Sequence, residues 1–363
     1  MDKNIKLRAA KKEDLSDLWA LSLIVFPEVK GSSFEEFADL WRYRWESPFR
    51  SEKDLLGWVL ENEQQEVKGF ISYIPLMLRA GEDLYPANSV STWVVDPSAS
   101  SNSLDLFRAF GKRDADVWLL DTTANKIASL MCKRLKMAPV AIVGYQRKFI
   151  WIVDTYAFLK SRSAKLFATP VGRIVAFLLS IILRLKGHMI TAPAKDFSLH
   201  SVEKFGEEYD RFWDQIKKDM GITHERTKEF MNWRHFNLPK LKGKACSFVC
   251  KDKNGEILGY LMLKTCGRGE GGEKRMIITD LLFISGRIDV YQFLVRSAYQ
   301  IAKEKSMAIL EVFGYRAELM NELLDYKPII RSFDHMTYWS KSPNNILPNK
   351  SVWVSGIDGD MNL

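Results

Sequence analysis

A run of small polar residues at 98–103 is the stretch of this sequence whose residue types best suit the binding of an anion. It follows a β-rich run, Val90 to Val95, that stops at Asp96-Pro97, and apolar residues at helical spacing begin at Leu104. Backbone N–H groups at a helix start can receive a phosphate when small residues lead into it. An ordinary strand-to-helix connection with a Ser or Asn N-cap is the alternative. The candidates for the anion contact are Ser98, Ser100, Ser101, Asn102 and Ser103.

Other chemistry-bearing residue types are scattered along the chain. None of the five histidines stands at metal-ligand spacing from another, and the four cysteines form no CxxC pair, so we predict no metal site. The sequence has no nucleophile elbow, Walker loop or Rossmann fingerprint. Cysteine usage of this kind, together with an N-terminus that has no apolar run, leads us to expect a cytoplasmic protein.

Composition and charge narrow the class of protein and of partner. The 363 residues are 47% hydrophobic and 27% charged, which is typical of a folded chain long enough for two domains. The formal net charge of +8 favours an anionic partner, such as a phosphorylated cofactor or an acidic membrane surface. Because no basic run is interleaved with aromatic residues, we expect no nucleic-acid partner.

The elements that must position the polar run occur twice. Trp41-Arg42-Tyr43 is repeated by Trp233-Arg234-His235, and the pattern at 67–70 is repeated at 257–260. The offset is about 190 residues in each case, which indicates a tandem duplication. In the first copy, strands are predicted at 67–78, 90–95 and 116–121, with a helix at 125–135 and a closing β-hairpin at 138–153.

This duplication predicts two domains and a connection. The N-terminal domain is placed at 1–155, a linker with an apolar helix at 156–190, the C-terminal domain at 191–341, and a tail with a possible edge strand at 342–363. The apolar run Ile174–Leu183 is too short to span a bilayer, so we expect a helix buried between the domains. The alternative is a helix in the membrane interface, for which the basic residues are Arg162, Lys165, Arg173, Arg184 and Lys186.

The order of elements and one helix motif resemble those of the GNAT (Gcn5-related N-acetyltransferase) superfamily, in two copies. The first copy carries the helix spacing at Asn125, Ala128, Met131, Cys132, Lys136 and Met137, and the second at Gly314, Ala317, Met320, Asn321, Asp325 and Tyr326. The resemblance implies an α+β fold in which helices flank a mixed, mostly antiparallel central sheet, and it covers nearly the whole chain.

The resemblance also implies an activity and a set of site residues. Acetyl-CoA or another acyl-CoA would donate an acyl group to an amine or hydroxyl on a small-molecule or sugar acceptor. Backbone groups at Trp93, Val94 and Val95 would hold the pantetheine, and the run at 98–103 the pyrophosphate, beside Asn125. Asp280, which interrupts an apolar strand, and Asp96 are the candidates for the general base. Cys132 stands where the family often has a proton-donating tyrosine.

Two departures from the family pattern leave other functions open. The loop at 98–103 lacks the glycines that let a backbone approach phosphate closely, and a cysteine replaces the tyrosine. A Fem-type aminoacyltransferase that acts on a cell-wall precursor, also built of two such domains, is one alternative. The other is a duplicated binding protein without catalytic activity.

Overall fold

The computed structural model describes residues 5–26, 32–112, 116–140, 144, 146–162, 169–185, 190, 197–237, 244–267, 273–314, 317–333, 336–341, 352–355 and 357–358. The strands are β1 (Lys6–Ala9), β2 (Gly57–Glu61), β3 (Val67–Ala80), β4 (Asp83–Val95), β5 (Trp118–Ala124), β6 (Ala138–Val140), β7 (Arg147–Ile152), β8 (Ser198–Val202), β9 (Ile222–His224), β10 (Ala245–Lys251), β11 (Ile257–Cys266), β12 (Arg275–Phe283), β13 (Ile309–Phe313), β14 (Ile329–Ser332) and β15 (Met336–Trp339). The α-helices are α1 (Leu15–Val25), α2 (Phe34–Trp45), α3 (Ser103–Gly111), α4 (Lys126–Arg134), α5 (Thr155–Lys160), α6 (Pro170–Leu185), α7 (Glu207–Ile216), α8 (Lys228–Met231), α9 (Ile288–Glu304) and α10 (Ala317–Asp325). Short 3₁₀ helices occupy Lys12–Asp14, Pro97–Asn102 and Lys217–Asp219, and a π-helical turn covers Asn232–Phe236.

The strands form two sheets that repeat one plan. The first has the order β1-β2-β3-β4-β5-β15-β6, with β9 on β3, and the second runs β8-β10-β11-β12-β13-β7-β14. In each sheet the parallel pair, β4 with β5 or β12 with β13, is flanked by antiparallel neighbours. The predicted α+β class and the tandem repeat of the fold are confirmed.

The two copies exchange one strand. The predicted hairpin at 138–153 is wrong, because β6 pairs with β15 and β7 pairs with β13 and β14 of the other sheet. Each sheet therefore contains the last strand of the other copy: β15 lies between β5 and β6 in the first sheet, and β7 lies between β13 and β14 in the second. Periodicity along the chain identifies the strands but cannot say which of two similar sheets a strand joins. The boundary at residue 155 stays a prediction, since strands from both sides of it share each sheet.

Equivalent glycines allow a helix to approach each sheet closely. A Cβ at Gly69 in β3 would lie 3.1 Å from a side-chain carbon of Leu106 in α3. A Cβ at Gly259 in β11 would lie 3.1 Å from Leu294 in α9 and 2.6 Å from a backbone oxygen of Leu282. A larger residue at either position would push the helix off its sheet. The repeated glycine of the sequence therefore has the same packing role in both copies.

Aromatic residues join the two copies at the repeated Trp-Arg motif. The rings of Tyr43 and Trp233 stack with centroids 4.6 Å apart and planes 11° from parallel. The Trp233 indole N–H donates to the Tyr43 carbonyl oxygen at 3.1 Å, so the contact is fixed in direction as well as distance. Arg42 pairs with Asp39 on the surface, whereas buried Arg234 donates to the backbone oxygen of Ile357 at 2.6 Å. The motif thus joins the two copies. Arg42 forms an exposed ion pair, whereas Arg234 binds a buried backbone oxygen.

A buried network fixes the described part of the C-terminal segment. Arg226, which is 0% exposed, donates to Asp358 at 2.8 Å and to Ser355 Oγ at 3.1 Å. Its Nε atom lies 3.5 Å from Asp280, and His224 Nδ1 lies 2.7 Å from Asp358. Burial opposes ionisation of Asp358, but Arg226 and His224 outweigh it and hold the pKa of that carboxyl below its usual range. Next to this network, Val352 forms a parallel bridge with Ile222 of β9.

The apolar helix α6 lies on the surface. The expectation that it is buried between the domains is wrong, because Ile174, Phe177 and Leu185 are 60%, 64% and 83% exposed. Its inner face consists of small residues and two half-buried leucines, and the helix packs beside α5. Among the described residues, no helix is long and apolar enough to cross a membrane.

A buried histidine makes stability depend on pH. His235 is 2% exposed, and burial lowers its pKa from 6.5 to about 4. His235 therefore binds a proton near pH 6.5 in the unfolded chain but only near pH 4 in the folded protein. The folded state consequently loses stability as the pH falls from 6.5 to 4. We expect His235 alone to lower the free energy of unfolding by about 3 kcal/mol between pH 6.5 and pH 4. Urea unfolding of the H235Q variant should show a pH dependence shallower by that amount, with the exposed H200Q variant as control.

Candidate active site

The strands β4 and β5 part in the first sheet and open a crevice. Their parallel pairing covers Ala87 to Ser89 against Trp118 to Leu120, after which both strands continue without pairing to each other. On the other side of β4, the pairing with β3 skips Ser91, which forms a bulge between Val90 and Thr92. A bulge bends its strand and strengthens the local twist. The edge of β4 from Val90 to Val95 therefore faces the crevice with backbone groups that no β5 ladder uses.

A cavity of about 420 Å³ occupies this crevice, which is within the range of small-molecule sites. It extends from the start of α4, at Asn125 and Ala128, past the end of β5 to helices α1 and α2. Aromatic side chains form much of its wall: Phe26, Phe37, Trp41, Trp93 and Phe107. An apolar wall with a few polar groups is the usual composition of a site that orients a small ligand.

Asp121 is the only carboxylate among the described residues that line the cavity. It ends the apolar part of β5 and is 5% exposed. The backbone N–H of Thr123 donates to its Oδ1 at 3.2 Å, and the Cys132 thiol donates to its Oδ2 at 3.7 Å. Both contacts hold the carboxylate at the mouth of the parted strands, where it can accept a proton from a bound molecule. Sequence reasoning missed Asp121, although it interrupts an apolar strand just as Asp280 does.

Among the described residues of the cavity wall, Arg44 is the cation, and it too was missed. Its guanidinium lies 4.5 Å from the Trp41 ring centroid and donates to Thr92 Oγ1 at 2.9 Å. It is 8% exposed, because the end of α2 packs across β4 at this point. The sequence signal was the repeated Trp-Arg motif, but the arginine that reaches the cavity stands two residues later in the chain.

The run at 98–103 is helical rather than an open loop. Pro97–Asn102 forms a 3₁₀ helix that continues into α3, since Asp96 caps it and Pro97 is favoured at the first helical position. The backbone N–H of Ser98 donates to Asp96 Oδ1 at 2.8 Å and that of Ala99 to the Asp96 carbonyl oxygen. The expected loop is therefore corrected to a helix start. Ser98, Ser100 and Ser101 are exposed, whereas Asn102 and Ser103 are half-buried.

The remaining predicted site residues fall in different places. Trp93 and Asn125 line the cavity, and Asn125 caps α4 by accepting from Ile127 and Ala128, both at 3.0 Å. Within β4, the side chain of Val94 is buried, and Val95 at the end of the strand is half-buried. The Asn-x-x-Ala spacing thus marks a helix start that borders the crevice.

The three predicted catalytic residues are not brought together. Asp96 acts as a helix cap, and hydrogen bonds from Ser98 lower the pKa of its carboxyl. Cys132 is 0% exposed behind Asp121, and burial raises the pKa of its thiol. Asp280 belongs to the other sheet, where Tyr260 donates to it at 2.5 Å; burial raises the pKa of Asp280, against the opposing charge of Arg226.

The corresponding crevice of the second sheet is filled. Strands β12 and β13 pair only from Arg275 to Ile278, and β12 has its own bulge at Thr279. Trp353 from the C-terminal segment enters here and packs with Leu281, Tyr291 and Val312, leaving a void of about 20 Å³. That volume is about the minimum for one water molecule. Of the two parted strand pairs, the first therefore has room for a ligand.

Comparison with known proteins supports the fold described above. No protein-family model matches the sequence, and no curated protein does. The fold is similar to that of Saccharomyces cerevisiae N-myristoyltransferase, solved with bound myristoyl-CoA, at 13% identity and a TM-score of 0.56, covering 93% of this chain and 79% of that one. A probable N-acyltransferase from Enterococcus faecalis (9% identity) and a GCN5-related N-acetyltransferase from Anabaena variabilis (13%) each give a TM-score of 0.57 over 93% of this chain and 72% of theirs. The chain therefore has the fold of the GNAT-type N-acyltransferases in two tandem copies.

Proposed function

We propose that this chain is an acyltransferase that takes an acyl group from acyl-CoA and passes it to an amine or hydroxyl acceptor. The observation that carries the proposal is the open crevice between β4 and β5, with one carboxylate at its mouth. The pantetheine would run along the free edge of β4 from Val90 to Val95, where extended backbone groups can bind its amides. The myristoyl-CoA complex of a structural neighbour supports a CoA thioester as the donor.

Transfer would be direct within the crevice. The acceptor nitrogen or oxygen attacks the thioester carbonyl, its proton passes to Asp121, and the carbon–sulfur bond breaks to release the CoA thiolate. Asp121 suits this role because Thr123 and Cys132 already orient its carboxylate. The acceptor would enter between α1 and α2, where aromatic walls hold its apolar part and Arg44 binds an acceptor oxygen. An apolar amine or a sugar fits such walls.

The diphosphate of CoA would lie near the start of α3. The hydroxyls of Ser100 and Ser101 are exposed there, and Asn102 follows them. The carboxylate of Asp96 already caps the first N–H of this helix, so we expect hydroxyl and amide contacts rather than a close backbone cradle. This arrangement agrees with the lack of glycine in the run.

Titration calorimetry with CoA, acetyl-CoA and longer acyl-CoAs tests the proposal. We expect saturable binding, and a rise in melting temperature that grows with the logarithm of the ligand concentration. The S100D/N102D variant should bind at least about tenfold more weakly, because two carboxylates would repel the diphosphate. The S201D/N254D variant adds two charges at exposed positions of the second sheet and should bind like wild type. Absence of binding at millimolar CoA would contradict an acyl-CoA donor and favour a duplicated protein without this activity.

A further inference from the structure

Helix α6 turns its large apolar side chains outward. Eight of them are between 38% and 83% exposed: Val171, Ile174, Val175, Phe177, Leu178, Ile181, Ile182 and Leu185. At about 100° per residue they fall within an arc of about 160° on one side of the helix. Exposed apolar residues elsewhere in the described chain are scattered, and single ones need no explanation. The continuous apolar face of α6, in contrast, needs an explanation.

The opposite face of α6 combines small residues with two half-buried leucines, Leu179 and Leu183. Gly172 and Ala176 are buried and Ser180 is half-buried, at a spacing of four. This side packs beside α5 and borders a groove that reaches Lys303 at the end of α9. A surface helix of a globular domain normally points its large apolar residues at the core. Here eight large apolar residues point outward instead, and this face has no partner among the described residues.

Three cations and one carboxylate, Asp154, lie along one flank of this face. Arg173 and Lys303 line the groove beside α6 and are exposed, as is Lys160 at the end of α5. Helix α6 itself contains no Asp or Glu. An apolar strip with an excess of cations along one flank is complementary to anionic lipid headgroups above an acyl layer.

We propose that α6 lies flat in the headgroup region of an anionic bilayer, with its apolar face inserted. Its 16 residues extend about 24 Å, which is short of the ~30 Å hydrocarbon core, so the helix lies along the surface. A second copy of the chain fits the face less well, because a twofold contact through it would bring the cations of one copy to those of the other.

Vesicle flotation tests the proposal. Wild-type protein should float with vesicles of phosphatidylcholine and phosphatidylglycerol, and only weakly with phosphatidylcholine alone. The F177S/I181S variant should bind the anionic vesicles at least about tenfold less, since it removes apolar area that would leave water. The R173Q/K303Q variant should lose about tenfold or more on anionic vesicles and little on neutral ones. The control L84S/I330S changes two exposed apolar residues elsewhere and should float like wild type.

Other outcomes would overturn the assignment. Wild-type protein that floats with neither vesicle, or equally well with both, contradicts it. A wild-type dimer that becomes a monomer in F177S/I181S would assign the face to a second copy. A marked fall in the urea midpoint of F177S/I181S would mean that these side chains pack within the chain. All of these results are independent of acyl-CoA binding.

Discussion

Replacing Asp121 with asparagine is expected to lower kcat by about 10²- to 10⁴-fold, the contribution of a positioned general base. Asparagine keeps the size of the side chain and an acceptor for the Thr123 N–H, but it cannot take a proton. Acyl-CoA affinity should change little, because the proposed donor contacts lie along β4 and at the start of α3. Release of CoA thiol, measured with a series of amine acceptors, gives the rate.

Two other carboxylates supply the controls. Asp96 was predicted as a base from the sequence but caps the 3₁₀ helix, so D96N should retain most of the activity. Asp280 belongs to the buried network of Arg226 in the second sheet, so its effect should appear in stability rather than in kcat. Full activity in D121N, or a loss confined to D96N, would remove Asp121 from the reaction.

The Arg226→Ala substitution should destabilise the fold by about 3–5 kcal/mol, the cost of breaking a buried ion pair from one side. It would leave Asp280 and Asp358 buried with no guanidinium between them, both being 0% exposed. The arginine also lies 5.5 Å from the Trp353 ring centroid, so its loss would loosen the residue that fills the second crevice. Urea unfolding gives the change in free energy.

An exposed ion pair provides the matched control. Arg287 and Asp289 contact at 2.8 Å with side chains 41% and 52% exposed. The R287A variant should lose less than about 1 kcal/mol, as exposed pairs do. Equal losses in R226A and R287A would contradict the structural role given to the buried network.

Much of the fold could be predicted from the sequence, because its signals are local. Neighbouring residues determine the apolar strands, the Asn125 helix cap and the glycine that occurs at the same place in both copies. The tandem repeat shows the strand and glycine patterns twice, which makes them easier to identify. The exchange of β7 and β15 could not be predicted, since each strand has the same pattern in either sheet. The exposure of α6 was missed for a related reason: an apolar run predicts burial, but here most of the large apolar side chains face outward.

The site was predicted only where secondary structure fixes it. Trp93 and Asn125 reach the cavity because they end β4 and begin α4. Arg44 reaches the cavity because α2 packs across the sheet, and this packing cannot be predicted from a short sequence motif. Asp280 was singled out as a carboxylate in an apolar strand, a signal that cannot distinguish an ion-paired core residue from one at a crevice.

The stoichiometry of acyl-CoA binding tests the central claim most directly. The first crevice is open and the second is filled by Trp353, so calorimetry should give one site per chain. The A128W variant, which places an indole in the open crevice, should abolish binding, whereas L130W on the exposed side of the same helix should not. Two sites per chain, or binding that A128W leaves intact, would contradict the assignment of the donor to the crevice between β4 and β5.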